Sequence, residues 1–209
     1  MYKVMILTLI MSTNCLAADI SALYETEQEF TYDDLVVDVK GYKVPTLAAF
    51  KGWMLMNHAE DKVRKIGNHF KERGVTNQNT MPLHLVLLQG TNWVLNDTSV
   101  FTLPNAKHID NMANTLLFVQ KYIEPEIGVV VPVSGERNKF YNDTSGGAPS
   151  SKHLEFCALD MVPLEDINRP DLHKKLDKIW STHGKEHNVG LGLYSGVRFH
   201  IDTCGFRRW

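Results

Sequence analysis

The chain has 209 residues, of which 44% are hydrophobic and 10% aromatic. That is enough for one globular domain with a full core, alone or with an N-terminal extension. The formal net charge is −2 and the Lys and Arg residues are scattered, which excludes a basic surface built for nucleic acid or another polyanion.

The first residues, "MYKVMILTLIMSTNCLAAD", carry one early charge at Lys3, an apolar stretch from Val4 to Met11, and small residues at Ala17 and Ala18. This is the layout of a secretory signal peptide with cleavage near residue 18. The apolar stretch is too short to span a bilayer, and no second long apolar run follows it. The expectation is an exported protein, secreted or periplasmic, that is not an integral membrane protein once the signal is removed.

Beyond it, "DLVVDVKGYKV" reads as a strand pair around Gly41. From Pro45 onward Leu47, Phe50, Met54, Val63, Ile66 and Phe70 fall at helical spacing, with Gly74 as the stop. "MPLHLVLLQGTNW" reads as a buried strand ending at Gly90. After Pro104, Ile109, Met112, Leu116 and either Val119 or Ile123 form the apolar stripe of another helix. "GVVVPVSG" and "CALDMVP" read as strands, with "NDTSGGAPSSK" a loop between them. "RPDLHKKLDKIWSTHGKEH" is a helix with Leu172, Leu176, Ile179 and Trp180 facing inward, and "VGLGLYSGVRFHIDTCGFRRW" a closing strand or hairpin. Helices come early and short strands cluster late. The fold class is α+β: a small antiparallel sheet carrying the chemistry, flanked by helices.

The chemistry centres on His153, Asp160 and His200. Two imidazoles and one carboxylate suit a catalytic zinc, with a fourth position left to water. Neither the paired-Cys spacing of a structural zinc nor the His-Glu-x-x-His signature of helical zinc proteases is present. In "VRFHIDT", strand alternation turns Arg198, His200 and Asp202 to one face and Phe199 and Ile201 to the core. Taken singly, His200 reads as a core histidine and Asp160 as a capping or ion-paired residue. Cys157 and Cys204 each lie four positions beyond a candidate ligand; they form either a disulfide, as an oxidising compartment permits, or two unpaired structural thiols.

"SSKHLEFCALD" resembles the Ser-x-His, six residues, Asp signature of zinc D-Ala-D-Ala peptidases, which act on bacterial cell-wall peptides. "VSGERN" resembles that family's Ser-Gly-x-Arg motif. "GLGLYSGVRFHIDTCGFRRW" resembles the Gly-x-Gly-x-Tyr…His-x-Asp-Thr…Arg-x-Trp segment of one branch, to which "LLQGTNW" and "FTLP" are also similar. The resemblance runs from about Met81 to Trp209, so the organisation expected is a signal peptide at 1–18, an N-terminal helical extension at 19–80 and a zinc peptidase domain at 81–209.

The resemblance implies His153, Asp160 and His200 as zinc ligands. It implies Arg137 as the group that holds a substrate carbonyl or carboxylate and stabilises the developing oxyanion. Ser151 is implied as a substrate-side or ligand-orienting residue. The partner implied is a peptidoglycan peptide. The chain departs from the pattern at Phe156, where relatives often have Gly, at Glu136, where many have an aromatic, and at Val197 and Arg198, where the wider superfamily often has its catalytic acid or histidine. The general base is therefore open. Asp202 is the candidate from strand parity, with a structural role fixing His200 as its alternative and Glu155 as a reserve. A non-catalytic, zinc-containing wall-binding module is the rival to the enzyme.

Overall fold

The computed structural model describes residues 31–92 and 98–209. The signal-peptide reading of residues 1–18, and the start of the 19–80 segment, lie outside them. Thr31–Trp209 form one compact unit.

The chain enters through one helical turn, α1 (Tyr32–Leu35). Strands β1 (Val36–Val39) and β2 (Tyr42–Pro45) then pair antiparallel. Their turn places Lys40 at φ 53° and Gly41 at φ 87°, the positive-φ pair that two-residue hairpins favour, so the strand pair expected around Gly41 is present. The apolar run after Pro45 forms two helices rather than one: α2 (Leu47–Met56) and α3 (Glu60–Glu72). The break falls at Asn57–Ala59, where His58 takes φ 49°. Ala59 is wholly buried at the joint. Val63, Ile66 and Phe70 of α3 enter the core, and Gly74 at φ 90° ends the segment as expected.

"MPLHLVLLQG" corrects another expectation. Its first half is a short helix, α4 (Leu83–Val86), and only Leu88 makes a strand-like bridge, to Phe101. A short apolar run has no period that separates helix from strand, and the second half of this one is buried on every side: Val86, Leu87 and Leu88 have no exposed surface. Next come α5 (Ile109–Phe118), a wide π turn over Val119–Ile123, and α6 (Glu124–Ile127). Met112 and Leu116 are buried along this stretch, as the stripe predicts, and so are both Val119 and Ile123.

Five strands form the second sheet: β3 (Val130–Ser134), β4 (Ala158–Pro163), β5 (Gly190–Leu193), β6 (Phe199–Asp202) and β7 (Arg207–Arg208). The order is β3-β4-β6-β5-β7. The first three pairings are antiparallel, and the last, β5 with β7, is parallel. The sheet is thus antiparallel except at one edge, where the chain returns past Gly205 to lay its final residues beside β5. A helix, α7 (Lys139–Thr144), capped by the Asn138 side chain, runs into the first three residues of the stretch read as a loop. The helix expected near the C-terminus is α8 (Arg169–His183), with Leu172, Leu176 and Ile179 buried and Trp180 partly so.

One face of the sheet builds the core. Leu159 and Met161 of β4 and Phe199 and Ile201 of β6 pack there with the helical residues Phe70, Met112 and Leu116. Phe50, Val63 and Ile66, from before Met81, join the same cluster. The alternating residues of these strands are left for the opposite face, where the site lies.

Candidate metal centre

Register brings the polar residues together. Asp160 of β4 pairs directly with His200 of β6; across the sheet Ser134 lies opposite Asp160 and Gly192 opposite His200. Directly paired residues project to the same face with their Cβ atoms about 5 Å apart. Ser134, Asp160, His200 and Gly192 therefore form one row. His153 reaches this row from a 3₁₀ turn (Lys152–Glu155) just before β4. The Ser151 hydroxyl caps that turn by accepting the His153 amide at 3.4 Å.

The candidate ligand atoms of His153, Asp160 and His200 all lie within 4.8 Å of one another, and all three residues are buried. His200 Nδ1 is 3.0 Å from Asp160 Oδ1, and His153 Nε2 is 3.4 Å from the same oxygen. The far nitrogen of each imidazole is engaged elsewhere. His153 Nδ1–H donates to the Gly135 carbonyl at 2.6 Å, and His200 Nε2–H to Asp202 Oδ2 at 2.8 Å. Such outer hydrogen bonds fix the ring orientation and turn the inner lone pair toward a metal. The donor set, its closeness and its locked rings make this a group able to hold a metal ion.

Protonation fits the same picture. Burial, with the Arg137 charge behind it, pulls His153 down to about 4, so it is a neutral imidazole. Burial alone would raise the Asp160 carboxyl, but its contacts with His153 and His200 outweigh it and hold it well below its ordinary value. Burial alone would lower His200; Asp160 and Asp202, hydrogen-bonded on either side, outweigh that and raise it. Binding a metal ion requires the inner nitrogens of both imidazoles and the Asp160 carboxyl to be free of protons, so metal binding here releases any proton they hold.

Asp202 stands behind His200. It is wholly buried and carries three further partners: Arg207 Nη2 at 2.6 Å, Arg207 Nη1 at 3.1 Å and the Cys204 amide at 2.9 Å. Strand parity correctly set it on the His200 face, but on the far side of the imidazole, and it is not among the residues lining the cavity. Glycines make room for this arrangement. A Cβ on Gly190 would lie 2.3 Å from Asp202 Oδ2 and 2.6 Å from Arg207 Nη1, and one on Gly192 would lie 2.7 Å from the Trp209 ring. The Gly-x-Gly of β5 is thus the space in which Arg207 and Trp209 fold over the strand. Trp209 in turn flanks His200, with ring centroids 5.0 Å apart.

Arg137 joins the centre as the sequence motif suggested. Its Nη2 donates to Asp160 Oδ2 at 3.0 Å and its Nε to Ser134 Oγ at 2.8 Å. Gln89, from the misread apolar run, supports it: its carbonyl accepts from Ser134 Oγ and Arg137 Nε, and its side chain accepts from the Asn138 amide. Tyr194 closes the group, donating from its hydroxyl to Asp160 Oδ1 at 3.2 Å. Gln89, Tyr194, Arg207 and Trp209 received no individual role from the sequence, although all lie inside motifs that it singled out.

The centre opens on a cavity of about 470 Å³, lined by His153, Asp160, His200, Arg137, Ser151 and the Gly146–Ala148 loop among others. Glu155 is tied to Lys152 at 2.9 Å and does not line it. Cys157 and Cys204 form a disulfide, which joins the start of β4 to the chain just beyond β6. Phe156, between His153 and the disulfide, takes φ 47° and ψ 45°. That left-handed conformation is one that glycine adopts freely and explains the glycine of the resembled motif. Here the ring compensates by full burial, stacked on Phe70.

Fold and site together define a class: an α+β protein with a buried two-histidine, one-aspartate group able to hold a metal ion at the wall of a cavity. Compared with protein-family models, curated proteins and solved structures, the chain has no match. Among the described residues, no helix is long and apolar enough to cross a membrane.

Proposed function

We propose that the protein is an exported, zinc-dependent peptidase. It hydrolyses peptide bonds of bacterial peptidoglycan, either as a D-Ala-D-Ala-type carboxypeptidase or as a cross-link endopeptidase. The observation that carries this reading is the convergence of His153, Asp160, His200 and Arg137 on one cavity, from the three motifs that resemble the zinc D-Ala-D-Ala peptidases. The disulfide supports export, because such bonds persist outside the reducing cytoplasm.

His153, Asp160 and His200 would hold the zinc, which when bound supplies Lewis acidity and makes water ionise nearer neutrality. The protein residues do the rest. Gly135 and Asp202 hold the two imidazoles in the ligating tautomer. Arg137 remains charged and presents a planar fork of donors beside Asp160, suited to a substrate carbonyl as negative charge develops on its oxygen. Ser151 holds the turn that carries His153. Asp202 acts through His200, as a positioning residue.

One observation favours a second reading, a wall-binding module that holds zinc without catalysis. Among the described residues Asp160 is the only carboxylate lining the cavity, so no second acid there accepts a proton from water. Incubation of the zinc-loaded protein with purified muropeptides separates the two. New amine groups, lost on chelation and in His200→Ala, identify the peptidase; co-sedimentation with sacculi without new amines identifies the binder. Full hydrolysis after chelation contradicts a zinc mechanism altogether.

A further inference from the structure

The cavity is rich in cations. Arg137, Lys152, Arg198 and Arg207 line it, against the single carboxylate of Asp160 among the described residues. Three of these cations are already neutralised. Arg137 pairs with Asp160 at 3.0 Å, Arg207 with Asp202 at 2.6 Å and Lys152 with Glu155 at 2.9 Å. Arg198 has no carboxylate partner among the described residues, and its Nε is buried without a hydrogen bond.

Arg198 is nonetheless held in place. Its guanidinium carbon sits 4.1 Å from the centre of the Tyr194 ring and 5.8 Å from that of Tyr42 on β2, and the Tyr194 hydroxyl is hydrogen-bonded to Asp160. A buried donor without a partner is costly, so a charged one kept at a cavity wall implies an acceptor that arrives with the ligand. A divalent cation on the neighbouring ligands would add to the positive surplus and demand the same compensation. Arg is suited to a carboxylate because its donors match both oxygens at once.

We infer that Arg198 is the receptor for a carboxylate of the substrate, and that the cavity takes peptides with a free C-terminal carboxylate. This rests on the peptidase reading and narrows it to a carboxypeptidase. Arg198 immediately precedes β6 and lies two positions before His200, about 7 Å along an extended chain. Arg198 and the three candidate ligands line the same cavity, so a terminal carboxylate on the guanidinium keeps the preceding peptide bond on the side of the ligand cluster. In the reaction, the C–N bond to the last residue breaks. Water supplies the hydroxyl of the new carboxyl group and one hydrogen to the amine of the released amino acid.

The test uses an acetylated tripeptide ending in D-Ala-D-Ala, with its last peptide bond N-methylated against hydrolysis, as free acid and as C-terminal amide. Calorimetric titration of the zinc-loaded protein is expected to show the acid bound at least ~10-fold more tightly than the amide, as a charge-assisted pair provides. Arg198→Gln is expected to abolish the preference and Arg198→Lys to retain part of it. Equal binding of acid and amide by the unaltered protein overturns the inference, without requiring any variant to fold; so does an undiminished preference in Arg198→Gln. Cleavage assays on the unmethylated pair keep the two readings apart. Selective binding of the acid without cleavage of either peptide keeps the Arg198 assignment and discards the peptidase. Equal cleavage of acid and amide keeps the peptidase and discards the assignment.

Discussion

Replacing Asp202 by Asn tests whether this carboxylate positions His200 or takes part in proton transfer. The side chain is wholly buried and accepts from His200 Nε2, from both Arg207 terminal nitrogens and from the Cys204 amide. Asn has nearly the same shape but no charge, and its amide group faces either His200 or Arg207 with a donor where an acceptor is needed. Breaking a fully buried pair costs about 3–5 kcal/mol and an exposed one about 1 or less. With 38% of the Arg207 side chain exposed, a loss of about 2 kcal/mol follows for the metal-free fold. Loss of such an outer partner weakens metal binding by ~10- to 100-fold. Competition with a chromophoric chelator measures the second effect, and thermal unfolding of the metal-free protein the first. Unchanged zinc affinity together with abolished hydrolysis would refute the reasoning and make Asp202 the proton acceptor.

Gly190→Ala drives a methyl group into the Asp202–Arg207 pair; a destabilisation of about 1–3 kcal/mol and weaker zinc binding are expected, and wild-type values for both in unfolding and chelator titrations would contradict the packing argument. The Cys157–Cys204 bond closes a separation of 47 residues, so the double Ser variant is expected to lose up to about 4 kcal/mol; denaturant unfolding without reductant checks this, and equal stability would argue against the pairing. Burial pushes the Glu136 carboxyl up to about 8 from an ordinary 4.5. In the folded chain it therefore keeps its proton while the unfolded chain releases it, and stability falls as pH rises from about 4.5 through 8. Glu136→Gln is expected to match the wild type below that window and to exceed it by up to about 3 kcal/mol near pH 7; a difference that does not change with pH in urea titrations would refute the assignment.

Several elements were legible because one periodicity dominates them. The stripe of Leu172, Leu176 and Ile179 set out α8, and alternation in "RFHID" separated Phe199 and Ile201 from His200 and Asp202. The three candidate ligands were legible from residue type and motif order, and their meeting depends on the Asp160–His200 register, which is a property of the folded sheet. Other features leave little local trace. The break between α2 and α3 uses His58 at positive φ, with no Gly or Pro to mark it. Residues 83–86 form a helix of a single turn, too short for a period to show, and the apolar residues that follow it, Leu87 and Leu88, are fully buried and blur its end. Parity placed Asp202 on the correct face but cannot distinguish the cavity side of an imidazole from its rear, which depends on Arg207 returning along the parallel edge strand. Alternation sets Arg198 on the His200 face, where it also departs from the resembled motif; its lack of an ionic partner among the described residues emerges only once the other cavity cations are paired.

Mass spectrometry of purified sacculi digested by the zinc-loaded protein tests the central claim most directly. The account predicts peptides newly shortened or released at D-Ala bonds, and their disappearance on chelation and in His200→Ala. An unchanged muropeptide profile with fully loaded protein, or the same cleavage after chelation, would contradict it.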